Sequence, residues 1–510
     1  MSPERRRVGK VLIANRGEIA VRILRSLSEL GIQSAAVYSD ADRHGLPVLL
    51  ADEAYRIGPA PSTESYLRAE AIVELAVEIG ADAIHPGYGF LAENAGFARL
   101  TEEAGVRFIG PPASAMAAMG SKIESRRLMI EAGVPVVPGG SDPLDSVEEA
   151  AAFAAEIGYP VMVKASAGGG GKGMRRVDTP DEFASSYRAA RSEAKASFGD
   201  DAVYVERYIE RPRHVEIQVL GDMHGRVVSL GERECSLQRR HQKVLEEAPS
   251  PVVDEDLRRS MGEAAVRAAS AVGYYNAGTV EFLLGADGEF YFLEMNTRLQ
   301  VEHPVTELVT GIDLVAAQIR VAEGEPLGPE FDDVRPQGHA IEARLYAEDP
   351  YQRFMPSSGR IHRLRWPEGP GVRNDSGVYE GVEVTIHYDP MLAKLCVWGG
   401  DREQAMRRLD RALSELRVEG VRTTAPLFRD LLRDEDFRAG RLDIGMLDRK
   451  LASGELAPPE ADGDRDLPIL AAAIAHMEKV ASAIAGPSPG ESSRDRWRRA
   501  ARSEGVRRWS

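Results

Sequence analysis

The segment from Glu281 to Arg298 constrains the fold more than any other, because it predicts a β-hairpin with one charged face. Two largely apolar stretches flank Asp287-Gly288, which is a strong signal for a tight turn between antiparallel strands. A loop of two or four residues centred on that turn pairs Glu281 directly with Glu294. Their Cβ atoms would then lie roughly 5 Å apart. The sequence therefore predicts two carboxylates that face each other across a hairpin.

Facing carboxylates repel each other unless a cation lies between them, so the hairpin predicts a metal site. Asn296 and Arg298 follow Glu294 at intervals of two residues and share its face for as long as the chain stays extended. The oxygen donors of Glu281, Glu294 and Asn296 suit a hard ion such as Mg²⁺ or Mn²⁺, which usually keeps water and substrate phosphate as its other ligands. The alternative is a solvated edge hairpin with incidental acids.

The composition limits the class of protein. A chain of 510 residues has room for about three domains. Its 64 basic and 80 acidic residues give a net charge of −16, which argues against general nucleic-acid binding. Cys235 and Cys396 are far apart, so neither a disulfide framework nor a zinc site is indicated. No apolar run approaches the ~20 residues of a membrane span, which predicts a cytoplasmic protein without a membrane partner.

The first ~115 residues alternate short apolar strands with amphipathic helices, a pattern typical of a parallel α/β sheet. The predicted strands are residues 11–14, 34–38, 83–85 and 107–110, and the first helix is residues 18–30. The turn from Asn15 to Glu18 follows the first strand. Ligands of such folds bind at this position, at the carboxyl end of a strand and the start of a helix.

A glycine-rich loop and a basic cluster follow. Lys164 lies in an apolar strand that leads into five glycines between Gly168 and Gly173, and this loop can offer many backbone N–H groups to phosphate oxygens. It does not match the P-loop pattern, and its alternative is a flexible linker. The segment from Arg233 to Lys243 carries five basic or imidazole groups in eleven residues. We interpret it as a bicarbonate or phosphate site, with a solvated charged surface as the alternative.

The C-terminal part predicts a mixed α/β region followed by a tail. Residues 455–466 are rich in Pro, Ala and acids and are interpreted as a linker. A helix with one narrow apolar seam is predicted next, with its apolar positions at Leu470, Ile474, Met477, Ala481 and Ile484. The segment 494–509 carries seven arginines and two tryptophans, so it is either a disordered basic tail or a docking element.

Five motifs in chain order resemble those of the biotin carboxylases of the ATP-grasp superfamily. They are IANRGEIA at 13–20, HPGYGFL at 85–91, KASAGGGG at 164–171, RRHQK at 239–243 and EMNTRLQVEHP at 294–304. The similarity covers roughly residues 7 to 452 without a large insertion.

The resemblance implies an α/β fold (α+β overall) in three parts and a tail. Residues 1–118 correspond to a Rossmann-like domain with a parallel sheet, and residues 119–334 to an ATP-grasp domain with a mobile Gly-rich lid at about 135–208. Residues 335–452 correspond to a mixed α/β C-terminal domain. Residues 453–510 hold the linker, helix and basic tail, a candidate for partner docking.

The implied activity is MgATP-dependent carboxylation of biotin on a separate biotin carboxyl carrier protein, with two Mg²⁺ or Mn²⁺ ions. ATP phosphorylates bicarbonate to carboxyphosphate, which breaks down to CO₂ and phosphate, and the ureido nitrogen of biotin attacks the CO₂. The chain contains no Ala-Met-Lys-Met sequence, so biotin is expected as a carrier-bound substrate and not as an attached group. The implied partners are the carrier, a second copy of this chain in a homodimer, and a carboxyltransferase subunit. The final acceptor is left open between acetyl-CoA, as in fatty acid biosynthesis, another acyl-CoA and pyruvate.

The resemblance also assigns the ATP site, part of which is the predicted metal set. The residues implied to bind ATP are Lys122, Lys164, Gly168, Gly169, Gly170, Gly171, Glu206, Arg207, Tyr208, Ile209, His214, His241, Glu281 and Glu294. The implied metal ligands are Glu281, Glu294 and Asn296. Arg207 stands where the family commonly has a lysine, which keeps the charge and changes the donor geometry, and Ala167 stands where the family often has a further glycine.

The remaining assignments concern bicarbonate and biotin. The residues implied to bind bicarbonate are Lys243, Arg298, Gln300, Val301 and Glu302, and those implied to border biotin are Tyr88 and Arg344. The implied catalytic residues are Glu302 as base, Lys243 and Arg298 as cations, and Arg344 for the developing enolate charge of biotin. Gln300 and Glu302 also continue the period of two from Glu294, which predicts that one strand edge carries them all.

Two other functions are compatible with parts of this pattern. Another ATP-grasp ligase, of nucleotide or peptide synthesis, would share the lysines, the glycine loop and the acidic pair. The stretch from Arg298 to Glu302 together with Arg344 favours a biotin carboxylase over it. A non-catalytic scaffold with the same fold is the second alternative, and the presence of every metal and base residue argues against it.

Overall fold

The computed structural model describes residues 5–140, 146–165, 174–199, 201–456 and 471–477. The chain divides into two units, residues 1–456 and 457–510, and the described residues 471–477 of the second unit are helical. Ile474 and Met477 of the predicted apolar seam lie on this helix. The other seam positions and the segment 494–509 lie outside the described residues. Among the residues that are described, no helix is both long and apolar enough to cross a membrane.

The N-terminal part forms the parallel sheet that the strand and helix pattern predicts. Its elements are β1 (Lys10–Ile13), α1 (Gly17–Leu30), β2 (Gln33–Ser39), α2 (Leu46–Leu50), β3 (Glu53–Gly58), α3 (Ala69–Glu78), β4 (Ala83–His85), α4 (Ala95–Glu103), β5 (Arg107–Phe108) and α5 (Ala113–Gly120). The five strands are parallel in the order β3-β2-β1-β4-β5. Leu12 and Ile13 of the central strand are fully buried, as expected for a parallel sheet covered on both faces.

Strand β3 was not predicted from the sequence. It forms one edge of the sheet, where a strand needs fewer apolar residues than a central strand does. Glu53 and Arg56 interrupt its apolar pattern, and their side chains pair with Lys10 and Asp40.

A second, small sheet carries Lys164. The elements of this region are α6 (Lys122–Glu131), α7 (Val147–Ile157), β6 (Val161–Ala165), β7 (Met174–Val177), α8 (Pro180–Phe198) and β8 (Val203–Arg207). The three strands are antiparallel in the order β7-β6-β8. Phe183 and Tyr187 of α8 are fully buried against this sheet and stack on each other. The glycines of the predicted loop, Gly168 to Gly171, lie outside the described residues.

The hairpin and the basic cluster lie in one large sheet with the C-terminal region. The elements before residue 335 are β9 (Arg213–Gly221), β10 (Val227–Arg239), β11 (Gln242–Ala248), α9 (Glu255–Ala271), β12 (Asn276–Leu284), β13 (Phe290–Asn296), α10 (His303–Thr310) and α11 (Leu314–Ala322). The elements after it are β14 (His339–Tyr346), β15 (Glu348–Asp349), β16 (Met355–Pro356), β17 (Gly359–Arg360), β18 (Arg363–Arg365), β19 (Val372–Ser376), β20 (Glu383–Val384), β21 (Met391–Gly399), α12 (Arg402–Glu415), β22 (Arg417–Glu419), α13 (Ala425–Leu431), α14 (Glu435–Arg438) and α15 (Met446–Ser453).

The eight strands of this sheet follow the order β13-β12-β9-β10-β11-β14-β21-β19. Because β11 pairs with β14, the sheet continues across the predicted boundary between the second and third domains at 334/335. The boundary itself stays a prediction.

The two faces of the large sheet differ in polarity. On one face of β14 the side chains of Ile341, Ala343 and Leu345 join an apolar core with α12 and α13. On the other face Glu342 and Arg344 are buried and charged, and Glu246 of β11 lies directly opposite Glu342. This alternation follows from the period of two along a strand, and it places a buried charged layer beside the predicted site.

Because of His85 at the end of β4, the protein should become less stable as the pH falls. The ring is fully buried, and burial together with the charge of Arg22 lowers the pKa of His85 to about 3. An unfolded chain binds that proton near pH 6.5 and the folded chain does not, so the free energy of unfolding decreases as the pH falls from 6.5 towards 3. We expect a loss of about 2 kcal/mol at pH 5 from this group. Chemical denaturation between pH 7 and pH 4 measures it.

A His85→Asn variant, whatever its absolute stability, should lose this part of the pH dependence. The exposed His44 offers a matched control, because His44→Asn should keep the slope of the parent chain. Equal slopes for His85→Asn and the parent would contradict the prediction.

Candidate active site

The hairpin pairs Glu281 with Glu294, which confirms the predicted register at that position. The reason differs from the prediction. Near the turn the pairing runs from Leu284 with Phe290, so the loop has an odd number of residues instead of two or four. A β-bulge between Phe292 and Glu294 then shifts the register by one residue. The bulge therefore brings the two carboxylates opposite each other.

Three carboxylates form a row across neighbouring strands. Glu216 on β9 pairs with Glu281 on β12, which pairs with Glu294 on β13. Arg233 on β10 is the partner of Glu216 on the other side, and its Nε lies 2.5 Å from a Glu216 oxygen in a fully buried ion pair. The Glu294 side chain makes no hydrogen bond or ion pair within the described part of the chain. The row is thus neutralised at one end and uncompensated at the other.

Lys243 holds the centre of the site. Its ammonium donates to Glu216 at 2.5 Å, to Glu302 at 2.7 Å and to Glu281 at 2.9 Å. These four residues are called the Lys243 cluster below. His214 adds a contact, since its Nε2 lies 3.0 Å from Glu281 Oε2.

The surroundings shift the pKa values of the two hairpin carboxylates in opposite directions. Burial opposes ionisation of Glu281, but the charges of Lys243 and His214 outweigh it and hold the pKa of Glu281 below its ordinary value. Burial and the nearby charge of Glu281 raise the pKa of Glu294. One carboxylate is therefore firmly ionised while its partner is destabilised as an anion. A cation between them would relieve this repulsion.

Glu302 is buried between two cations. Its carboxylate accepts from Lys243 and, at 2.9 Å, from Arg344, which also pairs with Glu246 at 2.5 Å. Burial disfavours its charge, but Lys243, Arg344 and Arg233 lower the pKa of Glu302 well below the usual range. As a base Glu302 is consequently weak, so its efficiency must come from position.

The predicted strand edge ends earlier than the period of two suggested. Strand β13 stops at Asn296, and Glu302 stands immediately before helix α10, so Gln300 and Glu302 do not continue the strand. The prediction of one continuous strand edge is wrong, because Pro304 favours the first turn of a helix and the chain has turned before it. Gln300 still reaches the site, with its Nε2 3.2 Å from Glu281.

Arg298 links this loop to the N-terminal part of the chain. Its Nη1 donates to Gln300 at 2.7 Å and its Nη2 to the Asn296 amide oxygen at 3.1 Å. Its Nε donates to Glu93 at 2.9 Å, and Glu93 also accepts from the backbone of Thr297 at 3.0 Å. The guanidinium thus lies beside the hairpin, as predicted.

Tyr88 and Val301 meet at a buried lysine that the sequence prediction missed. The Val301 carbonyl accepts from Lys394 Nζ at 2.8 Å, and the Tyr88 ring centroid is 5.8 Å from the same ammonium. The Val301 backbone is thereby held at Lys394, directly before Glu302.

The residues assigned to adenine and phosphate lie on other elements. Lys164 forms an ion pair with Glu206 on the neighbouring strand of the small sheet. Arg207 is exposed, Tyr208 lies with its ring centroid 4.4 Å from the Arg176 guanidinium, and Ile209 follows in the next loop.

The two remaining residues assigned to ATP, His241 and Lys122, lie next to the ends of strands or helices. His241 is exposed at positive φ in the turn between β10 and β11. Lys122 begins α6 after the cap residue Ser121 and is exposed as well. Both side chains therefore lie at the surface, where a nucleotide could reach them.

Four buried residues of the site were not predicted. Glu216 stands in a strand whose alternation the sequence shows, and its polar face (Glu216, Gln218) was the available signal. Lys394 is a single lysine in the apolar run 391–399, which was the signal for a buried cation. Glu246 and Glu342 gave the same kind of signal within alternating strands. Their proximity to Arg344 depends on strand order, which the sequence does not show.

Family models cover most of the chain. Residues 7–116 match the model described as biotin carboxylase, N-terminal domain, and residues 342–449 match the biotin carboxylase C-terminal domain. Residues 121–330 match the model described as carbamoyl-phosphate synthase L chain, ATP binding domain.

Curated relatives agree with these models. The chain is 53% identical to the biotin carboxylase of Haemophilus influenzae over 88% of this chain and 99% of that protein. It is 54% identical to a pyruvate carboxylase subunit of Methanothermobacter thermautotrophicus, over 86% of this chain and 89% of that protein. It spans only 61% of the mitochondrial methylcrotonoyl-CoA carboxylase alpha subunit of Glycine max, at 53% identity over 88% of this chain.

Solved structures show the same fold. The biotin carboxylase domain dimer of the Hydrogenobacter thermophilus 2-oxoglutarate carboxylase, in complex with MgADP, ADP and bicarbonate, superposes with a TM-score of 0.81 at 48% identity. That comparison covers 89% of this chain and 100% of the other. The Campylobacter jejuni biotin carboxylase complex with β-γ-ATP gives 0.81 at 46% identity, over 87% of this chain and 99% of the other. This chain therefore belongs to the biotin carboxylases, ligases that use ATP and bicarbonate to carboxylate biotin in the first half-reaction of biotin-dependent carboxylases.

Proposed function

We propose that this chain carries out biotin carboxylation through the Lys243 cluster and Arg344. The observation that carries this proposal is the position of one ammonium between Glu216, Glu281 and Glu302. Lys243 thereby pairs both with the row of carboxylates proposed to bind the metal, through Glu216 and Glu281, and with Glu302, the proposed base for bicarbonate. Arg344, which is assigned to biotin, pairs directly with Glu302.

The oxygen donors of the hairpin support the proposal of a metal site. Glu281, Glu294 and Asn296 offer oxygen atoms, and Glu294 has no compensating partner within the described residues. Asn296 uses its amide nitrogen towards Glu281 at 2.9 Å and its oxygen towards Arg298, so metal binding would require Arg298 to release that oxygen. Bound Mg²⁺ or Mn²⁺ would neutralise charge on the ATP phosphates.

ATP is proposed to lie between the small sheet and the hairpin. Lys164, with Lys122 and the loop from Gly168 to Gly171, supplies cations and backbone N–H groups for phosphate. The segment from Glu206 to Ile209 reads adenine, and His214 and His241 contact the nucleotide. Phosphoryl transfer depends chiefly on such positioning and charge neutralisation.

Bicarbonate is proposed to bind where Lys243, Arg298, Gln300 and the Val301 backbone converge. Glu302 takes the proton of bicarbonate while the two cations hold the anion. A bicarbonate oxygen then attacks the γ-phosphorus of ATP, the bond to the β,γ-bridging oxygen breaks, and carboxyphosphate and ADP form. The low pKa of Glu302 makes close contact with bicarbonate necessary.

Biotin is proposed to enter beside Tyr88 and Arg344. Carboxyphosphate then releases CO₂ and phosphate, the phosphate takes the ureido proton, and the nitrogen attacks CO₂. The Arg344 guanidinium, held by Glu246 and Glu302, stabilises the enolate oxygen that develops on biotin.

We further propose that the chain belongs to a multisubunit carboxylase in the cytoplasm. It would serve a separate biotin carboxyl carrier protein and a carboxyltransferase subunit, and form a homodimer. The match to a separate pyruvate carboxylase subunit and the domain dimer of the Hydrogenobacter thermophilus enzyme support this assembly. The acceptor is an acyl-CoA, such as acetyl-CoA, or pyruvate, since relatives of both kinds match.

The proposed function predicts that purified protein releases ADP from ATP only with bicarbonate present, and faster when free biotin is added. Coupled ADP detection, with each substrate omitted in turn, measures this. Stimulation by an amino acid or an aminoimidazole nucleotide in place of biotin would contradict it and favour another ATP-grasp ligase.

A further inference from the structure

Lys394 is a buried cation for which the assigned chemistry gives no role. It lies in β21, and its side chain has 0% exposure among apolar neighbours in sequence. Burying a lone ammonium is strongly unfavourable unless charges and hydrogen bonds compensate it. A lysine at such a position must therefore have specific partners.

The partners of Lys394 come from three separate parts of the fold. Its Nζ donates to the Val301 carbonyl at 2.8 Å, in the loop before α10. It lies 3.3 Å from the Glu18 carboxylate on α1 and 3.9 Å from the Asp375 carboxylate on β19. Burial opposes its charge, yet the carboxylates of Glu18, Glu342 and Asp375 raise the pKa of Lys394 above its ordinary value. The ammonium thus stays charged inside the molecule.

The contact with Val301 places Lys394 directly behind the proposed bicarbonate site. Val301 precedes Glu302, and a shift of the Val301 peptide would move the Glu302 carboxylate away from Lys243 and Arg344. Lys394 is also the cross-strand partner of Arg344. The buried Lys394 side chain therefore contacts the backbone next to Glu302, the proposed base. It also lies on the strand position opposite Arg344, the residue assigned to biotin.

Tyr88 gives a second link to the biotin side. Its ring centroid lies 5.8 Å from the Lys394 ammonium, at cation–π distance, and its carbonyl accepts from Asn15 at 2.8 Å. Asn15 lies between strand β1 and α1, the helix that carries Glu18. The same ammonium thus contacts α1, the Tyr88 loop and the Val301 loop.

We propose that Lys394 is a positioning residue that fixes the Val301–Glu302 peptide for bicarbonate activation and couples it to the N-terminal domain through Glu18. This inference rests on the proposed function of the site. Lys394 does not touch substrate in this role. It should govern the use of bicarbonate and leave ATP binding, which involves other elements, nearly unchanged.

The test compares Lys394→Met with a Lys394→Met/Glu18→Gln double variant, which removes both ionisable groups of the α1 contact together. We expect the KM for bicarbonate to rise about tenfold to a hundredfold, with a lower kcat, because a charged hydrogen bond to the loop is lost. The KM for ATP should stay within about twofold. Lys450→Met is the matched control, since Lys450 pairs with Asp434 and Asp436 in the C-terminal domain.

Parallel rises in the KM values for ATP and bicarbonate would overturn the inference, as would parent-like bicarbonate kinetics in a folded variant. Failure of both variants to fold, judged by circular dichroism, would also overturn it, because Lys394 would then serve folding and not the site. The parent chain separates the two claims. A parent without bicarbonate-dependent ADP release refutes the proposed function, whereas an active parent with unaffected variants refutes only the role of Lys394.

Discussion

Replacement of Glu302 by glutamine is expected to lower kcat for biotin carboxylation by about 10²–10⁴-fold, the range typical for a lost general base. The amide keeps the size of the side chain and can still accept from Arg344, but it cannot take the proton of bicarbonate. Rates at saturating ATP, bicarbonate and biotin measure the effect. The KM for ATP should change little, because the assigned adenine residues lie on other strands.

A matched control for this variant is Glu263→Gln, an exposed position on α9 that should leave kcat unchanged. Because Lys243 and Arg344 hold the pKa of Glu302 well below its usual range, the parent enzyme should keep Glu302 ionised throughout pH 6 to 8. A Glu302→Gln enzyme with more than a tenth of the parent kcat would exclude Glu302 as the base.

Replacement of Glu281 by glutamine is expected to lower kcat by about 10²–10³-fold and to raise the Mg²⁺ or Mn²⁺ concentration needed for half-maximal rate. The change removes the ionised member of the hairpin pair and also the charge that faces Lys243 and His214. Rate measurements across a Mn²⁺ titration, with Mn²⁺ binding followed by electron paramagnetic resonance in the presence of ATP, separate these two effects.

Glu294→Gln should weaken metal binding in the same direction, since Glu294 is the opposite member of the pair. Glu289→Gln, at the exposed loop of the same hairpin, is the control and should match the parent in both measurements. Unchanged Mn²⁺ dependence in Glu281→Gln would show that the metal does not bind at this row of carboxylates.

The fold class of the N-terminal part could be predicted from local sequence signals, whereas the reaction was implied by the resemblance of five motifs to a known family. Apolar strands alternating with amphipathic helices predict the N-terminal parallel sheet, and the turn at Asp287-Gly288 predicts that Glu281 faces Glu294. Such signals suffice because burial and strand geometry act over a few residues. Strand β3 escaped prediction because an edge strand tolerates charged residues such as Glu53 and Arg56.

Tertiary structure alone decided which strands meet. The pairings of β10, β9, β12 and β13 place Arg233, Glu216, Glu281 and Glu294 in one row, and the pairings of β11, β14 and β21 bring Glu246, Arg344 and Lys394 together. The β-bulge in the hairpin was likewise visible only in the structure.

The sequence by itself determined the types of element and the chemistry of the side chains, because those depend on near neighbours. The order of strands and the buried contacts of the two lysines depend on distant partners. The bond from Lys243 to Glu216 spans 27 residues and the bond from Lys394 to Val301 spans 93, and no local pattern encodes contacts of that separation.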